Sequence, residues 1–128
     1  MKDRHSIAEF LARYPQAVQE TVSAARRLLA EILPRAEESL DEPAKLISYR
    51  YGPGYKGMVC TLILSQTGVK LGIVRGAELR DPKQLLAGSG KLHRHVQLHG
   101  PTDLRRPGLV QLLEDALAAW RQRNAGGG

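Results

Sequence analysis

The chain has 128 residues, of which 42% are hydrophobic and 25% are charged, a composition typical of a single soluble domain. A chain of this length buries about two-thirds of its unfolded surface on folding, so it needs neither a metal nor a disulfide for its core. It contains no run of about 18 apolar residues, and its first residues are too polar for a signal peptide, so we expect neither a membrane span nor export. The lone cysteine, Cys60, fits the reducing cytoplasm, where we expect the protein to reside.

The positive charge of the chain is concentrated in its middle. The formal net charge is +6. Residues 44–106 contain eleven Lys and Arg but only three acidic residues, whereas residues 1–43 carry a net charge of −2 and residues 107–128 carry none. Folding does not require such an asymmetry, which bears instead on association and partners. The charge distribution therefore predicts a negatively charged partner.

The pattern of apolar residues changes from helical to strand-like along the chain. Ser6 and Glu9 form a capping-box pattern, and a second helix, with apolar residues at helical spacing, follows Pro15 and ends at Pro34. Runs of β-forming residues predict four strands, over 45–51, 57–64, 69–75 and 92–99. A last helix is predicted over 109–123.

This order of elements predicts an α+β fold, with a small antiparallel sheet of about four strands and helices packed on one face. We expect a single domain over 1–123 and a disordered tail over 124–128. The uncovered face of the sheet, or its rim, is then free for a ligand.

Two arginines occupy strand positions that belong to apolar faces. Arg94 shares a face with Val96 and Leu98, and Arg75 ends the apolar face of residues 69–73. If these faces meet the helices, both guanidiniums point toward the core or its edge, where a buried arginine needs an anion. That anion is either a carboxylate from the acidic stretch before the first strand or an external ligand held through paired hydrogen bonds.

A glycine-rich segment lies just before the last predicted strand. Gly88, Ser89, Gly90 and Lys91 look like part of a phosphate-binding loop, but Leu85 stands in place of the first glycine of that motif and no helix follows. The segment is therefore either a flexible turn or a nest of backbone N–H groups that binds an anion beside the lysine.

Aromatic and basic residues interleave before the glycine turn at residues 52–54. Tyr49 and Tyr51 alternate with Arg50, so they could form the apolar wall of a ligand site or be ordinary half-buried strand residues. The charge of this region also suits nucleic acid. However, the RNA-recognition signature that Lys56 begins does not continue at Met58, which argues against a nucleic-acid partner.

Metal binding is the alternative function. His93, His95 and His99 recur on one face of the last strand, and acidic residues cluster at positions 37–42, so these groups suggest a metal- or iron-binding chaperone. Basic neighbours disfavour a cation, and we expect no bound metal or cofactor. We also expect no enzymatic activity, because no catalytic constellation is recognisable and Cys60 lies among apolar residues, where a buried, inert thiol is expected.

Several of these residues together carry a resemblance to a known family. They are Leu79, Asp81-Pro82, Leu85-Leu86, Gly88, Gly90-Lys91 and Arg94, with the loop Tyr49–Gly57 and the pattern Pro34…Glu37-Glu38. By these residues the chain resembles the YdhG-like family of domains of unknown function, from about the second helix to the last. The resemblance implies an α+β domain with helices on one face of the sheet and no established enzymatic activity. One branch of that family is described as a frataxin-like iron chaperone, a role that the basic middle of this chain argues against.

The sequence as a whole predicts a non-enzymatic binding module. Its partner would be an anionic small molecule or an acidic protein segment, with no membrane and no nucleic acid involved. The expected contact residues are Arg75, Arg94, Lys91, Gly88, Ser89, Gly90, Tyr49 and Tyr51.

Overall fold

The computed structural model describes residues 2–125, with side chains from residue 7 onward. Within this range the chain forms three α-helices and five β-strands. The helices are α1 (Lys2–Leu11), α2 (Gln16–Ile32) and α3 (Leu109–Ala125), and the strands are β1 (Glu37–Asp41), β2 (Leu46–Arg50), β3 (Met58–Leu64), β4 (Val69–Ile73) and β5 (Arg94–Leu98). Among the described helices, none combines the length and apolarity that a membrane crossing requires.

The five strands form one antiparallel sheet in the order of the sequence, β1-β2-β3-β4-β5. The predicted α+β class is confirmed, and the sheet has one strand more than the four predicted. The additional strand is β1, in which Leu40 is the one apolar residue. An edge strand tolerates such a sequence, because it pairs on one side and charged side chains on it discourage pairing with other chains.

In the described part of the chain, the helices pack against one face of the sheet. Ile47, Leu62, Leu71 and Val96 lie side by side on the four strands from β2 to β5 and are all fully buried. Since side chains alternate along a strand, the residues between them point to the other side. We call the buried side the helix face and the other side the open face. The helices contribute to the core Ile7, Phe10, Leu11, Val18, Val22, Ala25, Leu29, Leu109, Leu112, Leu113, Ala116 and Leu117.

Two predicted helix boundaries are wrong. Helix α1 begins at Lys2 rather than at Ser6, because the residues before Ser6 include no glycine or proline that would break a helix. Helix α3 continues through Ala125, where Asn124 Nδ2 donates a hydrogen bond to the Trp120 carbonyl oxygen at 2.8 Å. The first two residues of the predicted tail are therefore helical, and the rest of that tail, 126–128, lies outside the described residues.

The loop between β2 and β3 is held by close backbone contacts. Gly57 is buried, and a Cβ atom at this position would lie 2.2 Å from the carbonyl oxygen of Gly52. Trp120 of α3 donates a hydrogen bond from Nε1 to the carbonyl oxygen of Lys56 at 2.8 Å. The loop therefore presents Tyr55, its most exposed aromatic residue, from a fixed backbone.

We expect the Gly57→Ala substitution to lower the free energy of unfolding by about 1–3 kcal/mol, because the added methyl group overpacks a backbone contact that cannot widen freely. The matched control is Gly52→Ala, where a Cβ atom would meet nothing within 4 Å and the change should stay within about 0.5 kcal/mol. Urea unfolding followed by circular dichroism measures both. Equal losses in the two variants would contradict the proposed contact.

Candidate functional site

Arg75 does not lie on a strand, contrary to the sequence prediction. Strand β4 ends at Ile73, and Arg75 takes a left-handed conformation, with φ of 57°, before a short 3₁₀ turn at Gly76–Glu78. Its guanidinium donates two hydrogen bonds to the Glu78 carboxylate, and this pairing lowers the pKa of Glu78. The prediction that Arg75 points from a strand toward the core or its edge is therefore wrong, and Glu78 neutralises its charge.

Arg94 does lie at the edge of the helix face, as its position in the sequence predicts. It pairs with Ile73 across the sheet and is half-buried, and its Nη1 donates to the carbonyl oxygen of His93 at 3.4 Å. No carboxylate within the described part of the chain lies within ion-pair distance of it. A Cβ atom on Gly88 would lie 3.7 Å from Cδ of Arg94, so the structure brings these two predicted residues together.

The glycine-rich segment runs along the outer edge of β5. Ala87 exchanges two backbone hydrogen bonds with His95, at 2.7 and 3.0 Å, and the residues from Ser89 to Lys91 that follow are exposed. The pairing at Ala87 fixes where the segment begins. An anion-binding nest formed by its N–H groups stays a prediction.

Tyr49 cannot form the wall of a site at Arg94. The two residues belong to the same row across the sheet but are three strands apart, about 14 Å, with two core residues between them. Tyr49 is buried, and its hydroxyl donates to the Glu38 carboxylate, which also accepts two hydrogen bonds from Arg26 at 2.9 Å each. Burial, and then the bond to Glu38, raises the pKa of Tyr49. Tyr49 therefore belongs to a polar network between α2 and the sheet.

Tyr51 is also placed elsewhere. Its ring packs against Trp120 of α3, with ring centroids 5.1 Å apart, and its hydroxyl donates to the carbonyl oxygen of Pro34 at 2.9 Å. The sequence predicts that the two tyrosines form the wall of a ligand site at Arg94, and this prediction is wrong for both. Tyr49 is bound into the network with Arg26 of α2, and Tyr51 contacts Trp120 of α3 and the carbonyl oxygen of Pro34.

The acidic residues at positions 37–42 do not gather into one cluster. Glu38 pairs with Arg26, and Glu42 pairs with Arg13 at 3.3 Å. Alternation along β1 directs Glu37 and Asp41 to the open face, opposite to Glu38. Among the residues that the structure describes, no group of three His, Cys, Asp or Glu side chains could hold a metal ion.

The three acidic residues of the basic middle segment are all engaged locally. Glu78 pairs with Arg75. The carboxylate of Asp81 accepts hydrogen bonds from the backbone N–H groups of Leu85 and Leu86, and that of Asp103 accepts one from the N–H of His99. In the described part of the chain, Arg75 is therefore the one cation of residues 44–106 that takes part in an ion pair.

The open face carries a depression of about 340 Å³, which we call the sheet hollow. Its floor is low because Gly72 has no side chain, and a Cβ atom there would lie 2.7 Å from Oγ1 of Thr61. Ile63 rises beside it and is 36% exposed. No carboxylate is present among the described residues that line it. These are Tyr55, Met58, Thr61, Ile63, Lys70, Gly72, Ile73, Val74, His93, Arg94 and His95.

His93 holds Tyr55 at one rim of the sheet hollow. Nδ1 of His93 accepts a hydrogen bond from the backbone N–H of Arg75 at 3.1 Å, so this nitrogen carries no proton. The proton of the neutral ring is then on Nε2, which donates to the Tyr55 hydroxyl at 3.2 Å. Tyr55 is 52% exposed, so the rim offers a flat aromatic surface whose hydroxyl end is fixed.

His95 and Lys70 lie diagonally across β4 and β5 on the open face. His95 pairs with Gly72, and Lys70 pairs with Gln97. Burial lowers the pKa of His95, and the charge of Lys70 lowers it further. At neutral pH His95 is therefore an uncharged hydrogen-bonding group. Two charged residues line the sheet hollow: Lys70 from the open face, and Arg94 from the start of β5, at the edge of the helix face.

The residues of the sheet hollow on β3 and β4 were not predicted as a site. Thr61 and Ile63 of β3 lie on the open face, level with Gly72 and Lys70 of β4. The available signal was the two-residue period: these four residues alternate with the core residues of the same strands.

Comparisons with models of protein families, with curated proteins and with solved structures found no significant match. The resemblance to the YdhG-like family therefore stays a prediction, and the chemistry of the site is argued from its residues.

We expect Lys70→Gln to raise the pKa of His95, because it removes the smaller of the two causes that lower it. NMR titration of the His95 ring protons measures this shift, and Lys83→Gln is the control, since Lys83 packs beside Gly108 at the start of α3. An unchanged pKa in Lys70→Gln would contradict the arrangement.

Because the folded-state pKa lies below that of the unfolded chain, His95 also makes the protein less stable as the pH falls from about 6.5 through the folded-state pKa.

We expect Cys60 to be inert toward alkylation in the folded protein. It is fully buried, and burial raises the pKa of its thiol to about 12, so almost no thiolate exists at neutral pH. Mass spectrometry after iodoacetamide treatment should show modification only once the protein is unfolded in urea. Rapid alkylation of the folded protein would revive a nucleophilic role for this residue.

Proposed function

We propose that this protein is a non-enzymatic cytoplasmic module that binds an anionic small molecule in the sheet hollow. The observation that carries the proposal is the lining of this hollow, where Lys70 and Arg94 are present and no carboxylate is found among the described residues. Its volume of about 340 Å³ is within the range of small-molecule sites.

The position of the charges supports an external anion rather than an internal partner. The acidic residues of the basic segment already have partners: Glu78 pairs with Arg75, and Asp81 and Asp103 accept hydrogen bonds from backbone N–H groups. Lys70 and Arg94 form no ion pair in the described part of the chain. A ligand carboxylate or phosphate could take that place, with the neutral ring of His95 as a further hydrogen-bonding group.

The sheet hollow also favours a ligand with an apolar part. An exposed ion pair contributes only about 0–1 kcal/mol, because water competes for both charges. Ile63, Met58 and Tyr55 offer apolar surface beside the cations, and burying it adds about 25 cal/mol per Å². We therefore expect an anionic group attached to an aromatic or aliphatic body.

A small molecule fits this site better than an acidic protein segment. Stable protein partners bury about 800 Å² on each side, whereas the sheet hollow has a volume of only about 340 Å³. The metal-binding alternative has no cluster of ligands in the described residues.

We also propose membership of the YdhG-like family, on the residues that carry the resemblance, and the absence of an established enzymatic activity in that family agrees with a binding role.

We expect benzoate and phenyl phosphate to bind the wild-type protein in isothermal titration calorimetry, and Lys70→Gln to weaken both by about five-fold, as the loss of one exposed ion pair of about 1 kcal/mol implies. Ile63→Ser should weaken them through lost apolar contact. Lys83→Gln keeps the same change of net charge away from the hollow and should leave both affinities unchanged. If Lys70→Gln and Ile63→Ser both bind like the wild type, the sheet hollow is not the site.

A further inference from the structure

A second basic depression adjoins the sheet hollow. It lies between the loop that carries Tyr55 and the end of α3, has a volume of about 480 Å³, and is called here the α3 hollow. No carboxylate is present among the described residues that line it. These are Tyr55, Lys56, Met58, Val74, Arg75, Arg123 and Asn124.

The two hollows share a boundary of apolar residues. Tyr55, Met58 and Val74 line both of them, so a single molecule can lie across this boundary and reach both sides. Tyr55 presents its ring there and is held at two points: its hydroxyl by His93, and the adjoining Lys56 carbonyl oxygen by Trp120. A ring fixed in this way loses little conformational entropy when a ligand stacks on it.

The cations on the α3 side exceed the acid that faces them. Glu78 pairs with Arg75, and Arg123 lies close enough to Glu78 that its charge also lowers the pKa of that carboxyl. Two arginines and Lys56 therefore share one carboxylate, which leaves a net charge of about +2 at the edge of the α3 hollow. The sheet hollow has its own uncompensated cations, Lys70 and Arg94.

We infer that the ligand is a two-ended anion, with an anionic group at each end of a flat aromatic centre. The centre stacks on Tyr55, one anionic group lies near Lys70 in the sheet hollow, and the other lies near Arg123 in the α3 hollow. This inference rests on the proposed function and adds to it the class of the ligand: an aromatic dicarboxylate, or an aromatic ring that bears one carboxylate and one phosphate. Because the first contact places the second anionic group beside its own cations, the second contact forms at high effective concentration.

The test is a calorimetric comparison of one-ended and two-ended probes. The dicarboxylates of benzene, naphthalene and biphenyl, with 4-carboxyphenyl phosphate, are titrated beside the corresponding monocarboxylates. The panel varies the distance between the two anionic groups. We expect at least one diacid to bind about ten-fold tighter than its monoacid, which is a gain of about 1.4 kcal/mol.

Substitutions assign the two ends of the ligand. Lys70→Gln and Arg123→Gln should each weaken the best diacid by about five-fold, to within about two-fold of the affinity of its monoacid for the wild-type protein. Arg121→Gln, a matched change on the same helix that faces α2 across a different depression, should leave the affinity unchanged. Tyr55→Leu keeps bulk at the boundary but removes the ring, and it should weaken every aromatic probe.

Each outcome bears on one proposal or on both. If monoacids bind and respond to Lys70→Gln, but no diacid gains affinity or Arg123→Gln has no effect, the two-ended ligand is overturned and the proposed function stands. If no member of the panel binds the wild-type protein, both proposals fail. A single-stranded oligonucleotide that binds tighter than the best diacid would overturn the small-molecule ligand in favour of a nucleic-acid partner.

Discussion

The helices cover only one face of the five-stranded sheet, and the character of the open face follows from that. The alternate strand positions that meet the helices must be apolar and closely packed, as Leu62 and Leu71 are. The positions between them face away from the helices, so their side chains need not be apolar or closely packed. On β3 and β4 they hold Thr61 and Gly72. No element within residues 2–125 covers them, so these small residues leave a depression on the surface rather than a void in the core.

The electrostatics of the protein follow from how its few central carboxylates are used. Asp81 accepts hydrogen bonds from two backbone N–H groups in the loop after the 3₁₀ turn at Gly76–Glu78, and Asp103 accepts one from the chain after β5. A carboxylate aimed at backbone donors is fixed in a loop and cannot also approach an arginine on the sheet. The central excess of positive charge therefore remains on the surface, and Lys70 and Arg94 border the sheet hollow without an internal counter-ion.

Hydrophobic periodicity predicts four strands and the helices of this fold but not the strand β1. Strand β1 is held by backbone hydrogen bonds to β2, which do not depend on side chains. The hydrophobic pattern of β1 cannot predict them, because Leu40 is the one apolar residue of that strand. Arg75 shows a second limit. The left-handed backbone conformation of Arg75 turns the chain away from the direction of β4. The two-residue alternation of apolar side chains does not indicate where such a turn occurs. Arg94, by contrast, keeps the strand register on which its prediction rested.

Tyr49 shows how two sequence patterns can conflict. Interleaved aromatic and basic residues suggest a ligand wall, whereas tyrosines two residues apart also fit an ordinary half-buried strand, whose side chains alternate between its two faces. The structure follows the alternation, because burying a large ring against α2 stabilises the fold more than exposing it does. Its hydroxyl then needs a partner in the interior, and Glu38 with Arg26 provides one. The acidic stretch is therefore in part a structural requirement of the core.

Tyr55 is the residue of the candidate site that local sequence patterns are least able to identify. Its sequence neighbours are glycine, proline and lysine, which indicate a turn and nothing more. The ring becomes a fixed surface only through His93, 38 residues away, and through Trp120, which binds the carbonyl oxygen of the next residue. Three segments distant in sequence must meet before the aromatic ring can separate two basic depressions. That placement makes a flat, two-ended anion a better fit than a simple one, since a single exposed charge contact would gain little against water.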